Sequence, residues 1–452
     1  MMLVMKFGGT SVKNAEAVDR VSGIISARVS EQPIVVVSAT GDTTDRLVEI
    51  LDLIDDNKPG AMAIAEVIEQ KHIELIKEVV TDAAQQKIAF GKVEPEIDRL
   101  KDMISAMERL GDVSMRSRDA VQALGERMSA PILAASLASR GINAVSVDPA
   151  RVIATDSNFG AAKPDFTQTA AQCQSILVPL CGKGQVPVIG GFVGSNGKGI
   201  ITTLGRGGSD LTASVIAKSV SASGLEFWKD VDGILTADPR IVPDARPLSE
   251  ITFEEAAELT FLGSGVLHPA SIQPAVEAGV PVTVRNSYRK DSPGTKILKT
   301  RPEGVASGTA ASIAYKKNQA LINVYSTRMI GASGFLRKVF EVFDRLKISV
   351  DHIATSEVNI TVTVDDGDVV AVLAKELEEV ATVTVTHNVS IVSVVGDALR
   401  QTAGIGARIF TALKDINILF STHSGATTNL SVGIENDRLT DAITSLHHHL
   451  FD

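Results

Sequence analysis

Two glycine-bearing segments of the sequence each carry one cation and could bind an anion. The first, "KFGGTS", places Lys6 just before the pair Gly8 and Gly9, and the second, "TTLGRGGSD", places Arg206 among glycines and ends at Asp210. Both lie between a strand-like run and a helix-like run, where converging N–H groups and a positive helix terminus favour phosphate. A turn is the commoner role of one Gly-Gly pair, but two such segments together favour an anion site.

None of the best-known nucleotide motifs is complete in this sequence. The stretch "GSNGKG" lacks the spacing of the P-loop motif G-x-x-x-x-G-K-[ST] and ends in Gly199 instead of serine or threonine. The stretch "GIGARI" fails at the last position of G-x-G-x-x-G. These mismatches argue against a P-loop NTPase and against a Rossmann dehydrogenase.

Several acidic side chains are candidates for ligand binding, with structural alternatives. Glu126 in "ALGERMSAPIL" begins a helix-like stretch, where a carboxylate could either cap the helix or bind a ligand ammonium group. The loop "FWKDVDGILTADPR" follows a strand and carries Asp230, Asp232 and Asp238. These carboxylates could bind Mg²⁺, hold ribose hydroxyls or form Asx-turns, and Asx-turns are the commonest role for an Asp-Gly pair.

The composition restricts the classes of partner and the compartment. The 452 residues carry a formal net charge of -10, which argues against a nucleic-acid or anionic-membrane partner because both require a basic surface. Cys173 and Cys181 match no metal or redox spacing, so we expect reduced thiols. No stretch reaches the roughly 18 apolar residues of a membrane span. The sequence predicts a soluble cytoplasmic protein that binds small molecules.

The pattern of elements predicts two kinds of domain. Through residue 290, strand-like runs such as "PIVVVSA" alternate with helix-like runs, which indicates an α/β fold. Residues 291–312 are rich in Gly, Pro, Ser and Lys and poor in periodic apolar residues. We therefore expect a first domain over 1–300.

The remaining chain contains an internal repeat. Gly334 aligns with Gly404 and Asn359 with Asn429, without a gap and at an offset of 70. Each copy has the pattern of strand, Gly-bearing turn, amphipathic helix, strand, turn, strand. The repeat predicts two related modules, over 313–388 and 389–452.

The motifs, taken in order, resemble those of the aspartokinases in the amino-acid kinase family. They are "VMKFGGTSV", "VVVSATGDTTD", "ALGERMSAPIL", "TTLGRGGSD", "WKDVDGILTADPR" and "VLHPASI", and the C-terminal repeat is similar to paired ACT domains. "ISVDHIATSEVNITVTVD" is most similar to the lysine-sensitive branch, and "WKDVDG" to plant-type members. The resemblance covers essentially the whole chain. It implies an α/β amino-acid kinase fold, a three-layer αβα domain with a mostly parallel sheet, followed by two α+β ferredoxin-like ACT modules.

The resemblance also implies a reaction and its residues. ATP, as its Mg²⁺ complex, would phosphorylate the β-carboxylate of L-aspartate to 4-phospho-L-aspartate, the first step toward lysine, threonine and methionine. Lys6 would stabilise the transferring phosphoryl group, Glu126 would meet the ammonium group of aspartate, and Arg206 a carboxylate. The resemblance assigns catalysis to Lys6, Arg206 and Asp210, aspartate binding to Thr44, Glu126, Arg206 and Ser209, and ATP binding to Lys6, Phe7, Gly8, Gly9, Lys229, Asp230, Leu235, Arg240 and Gly265.

Three of the nucleotide positions depart from common family patterns. Lys229 and Leu235 stand where many bacterial members have threonine and tyrosine, although the lysine matches the plant-type pattern. Gly265 stands where lysine or glutamine is usual. The loss of a side chain that touches the nucleotide predicts a higher KM for ATP, and Gly265→Lys should lower it.

A feedback site is implied in the first ACT module. The residues that match the lysine pocket are Met329, Phe335, Leu336, Ser349, Val350, Asp351, Ser356 and Glu357. Asp351 would meet the ammonium groups of the effector, for which L-lysine is favoured. ACT modules pair across two-fold axes, so we expect a homodimer or a dimer of dimers. Inhibition would follow from tighter binding of the effector to one conformation.

Two other functions compete with this interpretation. Another amino-acid kinase, such as a glutamate or N-acetylglutamate kinase, is disfavoured by the tandem repeat and by "KFGGTS". A degenerate kinase that only senses an amino acid is supported by Gly265. The intact Lys6, Glu126, Arg206 and Asp210 oppose that second alternative.

Overall fold

The chain folds into two compact units. The computed structural model describes residues 2–264, 266–300, 310–330, 333–397, 399–423 and 428–451. The first unit comprises Met1–Ile234, Ser249–Phe253 and Val266–Thr300, and the second comprises Leu235–Leu248, Glu254–Gly265 and Arg301–Asp452. Among the described helices, none is both long and apolar enough to span a membrane.

The first unit alternates strands and helices. Its strands are β1 (Leu3–Phe7), β2 (Ile34–Val37), β3 (Ala144–Val147), β4 (Ala154–Thr155), β5 (Val186–Gly190), β6 (Val193–Asn196), β7 (Ile201–Thr203), β8 (Gly224–Lys229), β9 (Glu250–Thr252), β10 (Val282–Asn286) and β11 (Thr295–Leu298). Its helices are α1 (Ala15–Ser26), α2 (Thr43–Asp55), α3 (Ala61–Val79), α4 (Ala83–Leu110), α5 (Met115–Gln122), α6 (Leu124–Ser139), α7 (Phe166–Gly182), α8 (Gly208–Ser219), the start of α9 (Phe253–Leu259), and α10 (Pro269–Glu277).

Most strands of the first unit form one sheet. Its order is β3-β5-β2-β1-β8-β10-β11-β9, and every neighbouring pair is parallel except β10 with β11. A small sheet, β4-β6-β7, lies beside the chain leading into α8. The mostly parallel sheet predicted from the alternating pattern is confirmed.

The two faces of the central strands have different roles. Side chains alternate along a strand, and Met5 and Phe7 point into the apolar core formed with α1 to α6. Lys6 therefore points to the opposite face, toward α8. In the parallel register Phe7 lies beside Trp228, and the two rings stack, so Lys229 at the end of β8 shares the face of Lys6. Side-chain alternation together with the parallel register of β1 and β8 thus brings two lysines to one side of the sheet.

Short polar side chains begin several helices of the first unit. The Asn14 side chain accepts from Ala17 N at 3.0 Å at the start of α1, and Asp165 accepts from Gln168 N at 2.9 Å at the start of α7. These caps satisfy N–H groups that have no partner within the helix. The start of α8 is different, because Gly207 adopts a left-handed φ of 71° there.

The second unit is built on an antiparallel sheet. Its strands are β12 (Ser312–Tyr325), β13 (His352–Thr355), β14 (Asn359–Asp365), β15 (Thr382–Val395), β16 (Phe420–His423) and β17 (Asn429–Glu435), and its helices, besides most of α9, are α11 (Phe335–Arg345), α12 (Val369–Leu377), α13 (Ile405–Ala412) and α14 (Leu439–Phe451). The sheet order is β13-β14-β12-β15-β17-β16. The series strand, helix, strand, strand occurs twice, which confirms the predicted repeat.

The two modules share their central strands. Ile322 in β12 belongs to the core of the first module, whereas Ile313 in the same strand belongs to the core of the second. β12 and β15 pair along almost their whole length, so the two modules form one sheet within a single chain. Ala237 and Val242 also lie in the second core. This burial explains why the segment 235–248 belongs to the second unit, although its sequence falls within the first predicted domain.

Candidate active site

Two lysines meet one aspartate at the carboxyl edge of the parallel sheet. Lys6 Nζ lies 2.5 Å from Asp210 Oδ1, and Lys229 Nζ lies 3.2 Å from Asp210 Oδ2. The side chains of Lys6 and Asp210 are 8% and 9% exposed. Lys6 comes from β1, Lys229 from the end of β8 and Asp210 from the first turn of α8, so three elements fix the cluster. Ligand sites of parallel α/β sheets form at this edge.

The cluster carries a surplus of positive charge. Burial by itself raises the pKa of Asp210, but the ammonium groups of Lys6 and Lys229 outweigh burial and hold that pKa below its usual value. The carboxylate is therefore ionised at neutral pH. Burial, together with repulsion from Lys6, lowers the pKa of Lys229, while Asp210 opposes the change. With both lysines protonated, two cations face one anion, and the excess charge is available to an anionic ligand.

Close glycine contacts join the "KFGG" turn to the loop before α2. A Cβ atom on Gly9 would lie 2.8 Å from Ala39 O, and one on Gly125 would lie 2.7 Å from the Ala39 Cβ. Gly41 N also donates to Gly9 O at 3.1 Å. In contrast, a Cβ on Gly8 would meet no atom within 4 Å. The turn is therefore packed on one side and open at Gly8.

Another glycine pair, Gly190 and Gly191, was not among the predicted site residues. It brings two predicted substrate contacts, Glu126 and Ser209, to the end of β5. A Cβ on Gly190 would lie 2.8 Å from Glu126 O, and one on Gly191 would lie 2.6 Å from the Ser209 Cβ. The end of β5 thus admits the first turn of α6 and the first turn of α8 at close range. The signal was present as "VIGGFVG", a Gly-Gly pair directly after a strand.

Glu126 is a buried carboxyl group with an unused oxygen. The residue is 3% exposed, and its Oε2 has no hydrogen-bond partner among the described residues. Burial raises its pKa to about 8, against the opposing effects of the Ala39 N–H and of the charge on Lys6. Of the two roles considered for Glu126, this geometry favours ligand binding over helix capping. An unsatisfied buried acceptor is costly unless a ligand supplies a donor.

Arg206 is exposed on a fixed loop. Gly205 and Gly207 flank it with φ values of 73° and 71°, a conformation that glycine adopts without strain. Ser271 Oγ donates to Gly207 O at 3.0 Å and holds the end of the loop. The backbone is thus anchored while the guanidinium group reaches solvent. Thr44 in α2 is half-buried, as is Ser209.

The predicted nucleotide residues are divided between the two units. Lys229 and the exposed Asp230 belong to the first unit, and Leu235 and Arg240 to the second. Arg240 Nη2 pairs with Asp238 Oδ2 at 2.7 Å, and this hydrogen bond lowers the pKa of Asp238 to about 2 despite partial burial. Gly265 lies outside the described residues.

Asp232 in the acid-rich loop is held by side chains of another segment. Asp232 accepts from Asn286 Nδ2 at 2.7 Å and from Arg289 Nη1 at 2.8 Å. Across the described ranges, no three His, Cys, Asp or Glu side chains converge as a metal site. Both partners of Asp232 are side chains of another segment, so the contacts give Asp232 a structural role through tertiary hydrogen bonds and not through an Asx-turn.

The predicted effector residues all lie in the first module of the second unit. Met329, Phe335 and Val350 are half-buried, whereas Leu336, Ser349, Ser356 and Glu357 are exposed. The Asp351 side chain is 6% exposed and forms an ion pair with Lys316, a residue that the sequence did not single out. Lys316 Nζ also lies 2.8 Å from Asp365 Oδ1. One lysine of the chain is therefore shared by two aspartates.

Comparison with known proteins agrees with this architecture. Residues 1–286 match the amino acid kinase family, and residues 322–376 and 392–450 match an ACT domain. The chain is 34% identical to aspartokinase 3, chloroplastic, of Arabidopsis thaliana, over 99% of this chain and 81% of the relative. It also matches crystal structures of E. coli aspartokinase III in complex with aspartate and ADP (R-state; 31% identity, TM-score 0.83) and with lysine and aspartate (T-state; 31% identity, TM-score 0.84), each over 100% of both chains.

The parallel sheet, the lysine cluster at its carboxyl edge and the paired modules together define an amino-acid kinase domain with ACT modules. The two ACT matches begin 70 residues apart, at 322 and 392, which is the offset of the repeat. The chain belongs to the aspartokinase family, as the motifs predicted, and it is a kinase.

Proposed function

We propose that this enzyme transfers the γ-phosphoryl group of MgATP to the β-carboxylate of L-aspartate, giving 4-phospho-L-aspartate. The observation that carries the proposal is the buried cluster of Lys6, Lys229 and Asp210, whose net positive charge lies within electrostatic reach of the buried Glu126. The E. coli relative in complex with aspartate and ADP supports this choice of acceptor and nucleotide.

The chemistry requires neutralisation and alignment more than proton transfer. A free aspartate side chain has a pKa of about 3.9, so the acceptor is already a nucleophile at neutral pH and needs no general base. The barrier arises from bringing two anions together in line. Lys6 and Lys229 would offset the charge of the phosphoryl group, and Asp210 would hold both ammonium groups in place.

Aspartate would be held at both ends of its amino-acid group. The vacant Oε2 of Glu126 would accept a hydrogen bond from the ammonium group, and that cation would return Glu126 to its ionised form. Arg206 would bind a carboxylate through paired N–H donors. Thr44 and Ser209, each in the first turn of a helix, would supply further hydrogen bonds.

ATP would enter with its magnesium ion already attached. Mg²⁺ is usually held by phosphate oxygens and one or two carboxylates, so it needs no cage of protein ligands. The proposed nucleotide contacts are Lys6, Phe7, Gly8, Gly9, Lys229, Asp230, Leu235, Arg240 and Gly265. The open space beside Gly8 would leave room for a phosphate near the N–H groups of the turn.

We further propose feedback control by an amino acid, with L-lysine favoured, at the residues around Asp351. The E. coli relative in complex with lysine and aspartate supports this assignment. The reaction would be the first step toward lysine, threonine and methionine. Three further properties stay predictions. They are a homodimer or dimer of dimers through the ACT modules, the domain bounds 1–300, 313–388 and 389–452, and a cytoplasmic location.

The decisive experiment is trapping of the acyl phosphate with hydroxylamine, using purified protein, MgATP and aspartate. Parallel reactions should contain lysine, threonine or neither. We expect hydroxamate that lysine alone suppresses. Hydroxamate insensitive to both amino acids would keep the kinase and discard the effector assignment.

Two further reactions separate the competing functions. With glutamate as the sole acceptor, we expect no hydroxamate, and its formation would instead support a glutamate kinase. If aspartate yields no hydroxamate at saturating ATP, a titration of lysine against intrinsic fluorescence should be made. Saturable lysine binding without any phosphoryl transfer would favour the amino-acid sensor.

A further inference from the structure

Asp119 lies outside every predicted set of site residues, yet it joins three segments of the first unit. The residue is 0% exposed within α5. Its Oδ1 accepts from Gly160 N at 2.9 Å and from Thr203 Oγ1 at 2.8 Å, and its Oδ2 accepts from Thr203 N at 2.8 Å. Both oxygens of this buried carboxylate are thus occupied by donors from other segments.

Both hydrogen-bond partners of Asp119, Gly160 and Thr203, lie next to the loop that carries Arg206. Thr203 is the last residue of β7, directly before Leu204 and the glycine-flanked Arg206. Gly160 forms the neighbouring wall, because its carbonyl oxygen would lie 3.0 Å from a Cβ on Gly205. Thr203 O in turn accepts from Ala162 N at 2.9 Å, which ties the two walls together. The carboxylate therefore anchors the base of the loop on two sides.

On its other side, Asp119 is continuous with the helix that carries Glu126. Ala123 is both the C-cap of α5 and the N-cap of α6, and Glu126 lies in the first turn of α6. Gly125 packs against Ala39, and Gly190 packs against Glu126, so this turn is fixed to the sheet. Movement of the Arg206 loop away from α5 would change its spacing from Glu126.

We propose that Asp119 is a positioning residue that sets the spacing between Arg206 and Glu126, and so the fit of the amino-acid substrate. The inference rests on the proposed function, in which these two residues hold the carboxylate and the ammonium group of aspartate. Asp119 touches neither substrate nor nucleotide in this role. Its loss should weaken aspartate binding and leave ATP binding and phosphoryl transfer largely intact.

Asp119→Asn is a sharp test because an amide has only one acceptor oxygen. If the amide oxygen faces Gly160 N and Thr203 Oγ1, the NH₂ group opposes the N–H of Thr203. If the amide is turned over, the NH₂ group opposes the N–H of Gly160. Either orientation breaks one backbone hydrogen bond of the anchor. Thr203→Val is the milder variant, because it removes only the hydroxyl donor.

Steady-state kinetics should distinguish positioning from general destabilisation. For Asp119→Asn we expect the KM for aspartate to rise about tenfold or more, with kcat and the KM for ATP within about twofold. Thr203→Val should raise the KM for aspartate about two- to fivefold. Thr169→Val is the matched control, since it removes a buried threonine hydroxyl of the same unit that bonds Ala154 N instead. A fall in kcat with an unchanged KM for aspartate would overturn the proposal.

Hydrogen exchange of the full-length chain gives a readout independent of activity. Exchange of the amides from residue 201 to 208 should be faster in Asp119→Asn than in wild type, and unchanged in Thr169→Val. If wild type makes no hydroxamate, the proposed function fails while this exchange still decides whether Asp119 anchors the loop. Unchanged exchange in an active Asp119→Asn enzyme would refute the anchor. If Asp119→Asn does not fold, Thr203→Val carries the test, and an unchanged KM for aspartate would reject it.

Discussion

The two units each contain an aspartate bound to lysine, but with opposite charge balance. In the first unit, Lys6 and Lys229 share Asp210, so two cations surround one anion. In the second unit, Asp351 and Asp365 share Lys316, so one cation lies between two anions. The first arrangement leaves positive charge for an anionic ligand, and the second leaves negative charge for a cationic one. In the proposed function, the ratio of lysine to aspartate therefore distinguishes the site proposed for the phosphoryl group from the site proposed for an amine effector.

Burial makes the two sites differ in strength as well as in sign. The Asp210 and Lys6 side chains are almost fully enclosed. In the second cluster Asp351 is equally buried, but Lys316 is 25% exposed and Asp365 is 79% exposed. Solvent screens an exposed pair strongly, and such pairs contribute little to stability. We therefore expect changes in the first cluster to have large effects and changes in the second to have modest ones.

The largest effect should follow from removing the surplus cation of the first cluster. Lys6→Met leaves Lys229 and Asp210 as a neutral pair and removes a donor from the phosphoryl group. Loss of one preorganised electrostatic contact typically lowers kcat by about 10²- to 10³-fold, and we expect a fall of that size. Hydroxamate formation at saturating substrates measures it.

A matched variant tests whether net charge or position matters. Lys229→Met gives the same net charge but keeps Lys6 on Asp210, so we expect a fall in kcat of about tenfold. Equal losses in the two variants would mean that only the total charge counts. Full activity of Lys6→Met would remove the proposed role of the cluster.

The next effect is a dependence of aspartate binding on pH. With its pKa raised to about 8, Glu126 is protonated in the free enzyme below that pH and must lose its proton to pair with an ammonium group. The KM for aspartate should therefore rise as pH falls below 8, by up to about tenfold per unit, and be flat above it. Initial rates from pH 6 to 9 measure the profile. Glu126→Gln should give a high KM without this slope, and a slope retained in that variant would assign the proton to another group.

A smaller effect is expected when the charge excess of the second cluster is increased. Lys316→Met leaves Asp351 and Asp365 without their cation, so an incoming ammonium group gains more attraction. The lysine concentration that halves activity should fall by about fivefold, a free-energy change of about 1 kcal/mol for a partly exposed pair. Rates without lysine should stay unchanged. Asp351→Asn is the opposing variant and should raise that concentration, and identical inhibition curves for all three proteins would place the effector elsewhere.

Periodicity and repetition made much of this architecture predictable, whereas contacts between distant positions did not. Strand and helix alternation predicts the parallel sheet, and an exact register of glycines and asparagines predicts two modules. The pairing of Lys316 with Asp351 and the anchor formed by Asp119 with Thr203 have no local sequence pattern, because each joins residues far apart in the chain. The segment 235–248 shows the same limit, since burial of Ala237 and Val242 in the second module reflects tertiary packing.

Burial of the Glu126 carboxyl group should also lower the stability of the folded enzyme as pH rises. Its pKa is raised in the folded enzyme from 4.5 to about 8, so the folded state retains a proton that the unfolded chain loses. Stability from this group is complete below about pH 4.5 and is lost as pH rises toward 8. Glu126→Gln cannot ionise, and we expect its Tm to exceed that of wild type by at least a few degrees at pH 8, because roughly 1 kcal/mol shifts Tm by 2–4 °C in larger domains. Calorimetry of both proteins at pH 5 and pH 8 measures the difference, which should shrink at the lower pH. A Tm difference that does not depend on pH would show that the amide stabilises by packing. It would also contradict the idea that burial of an ionisable carboxyl group at this position is the cost of a site for an ammonium ligand.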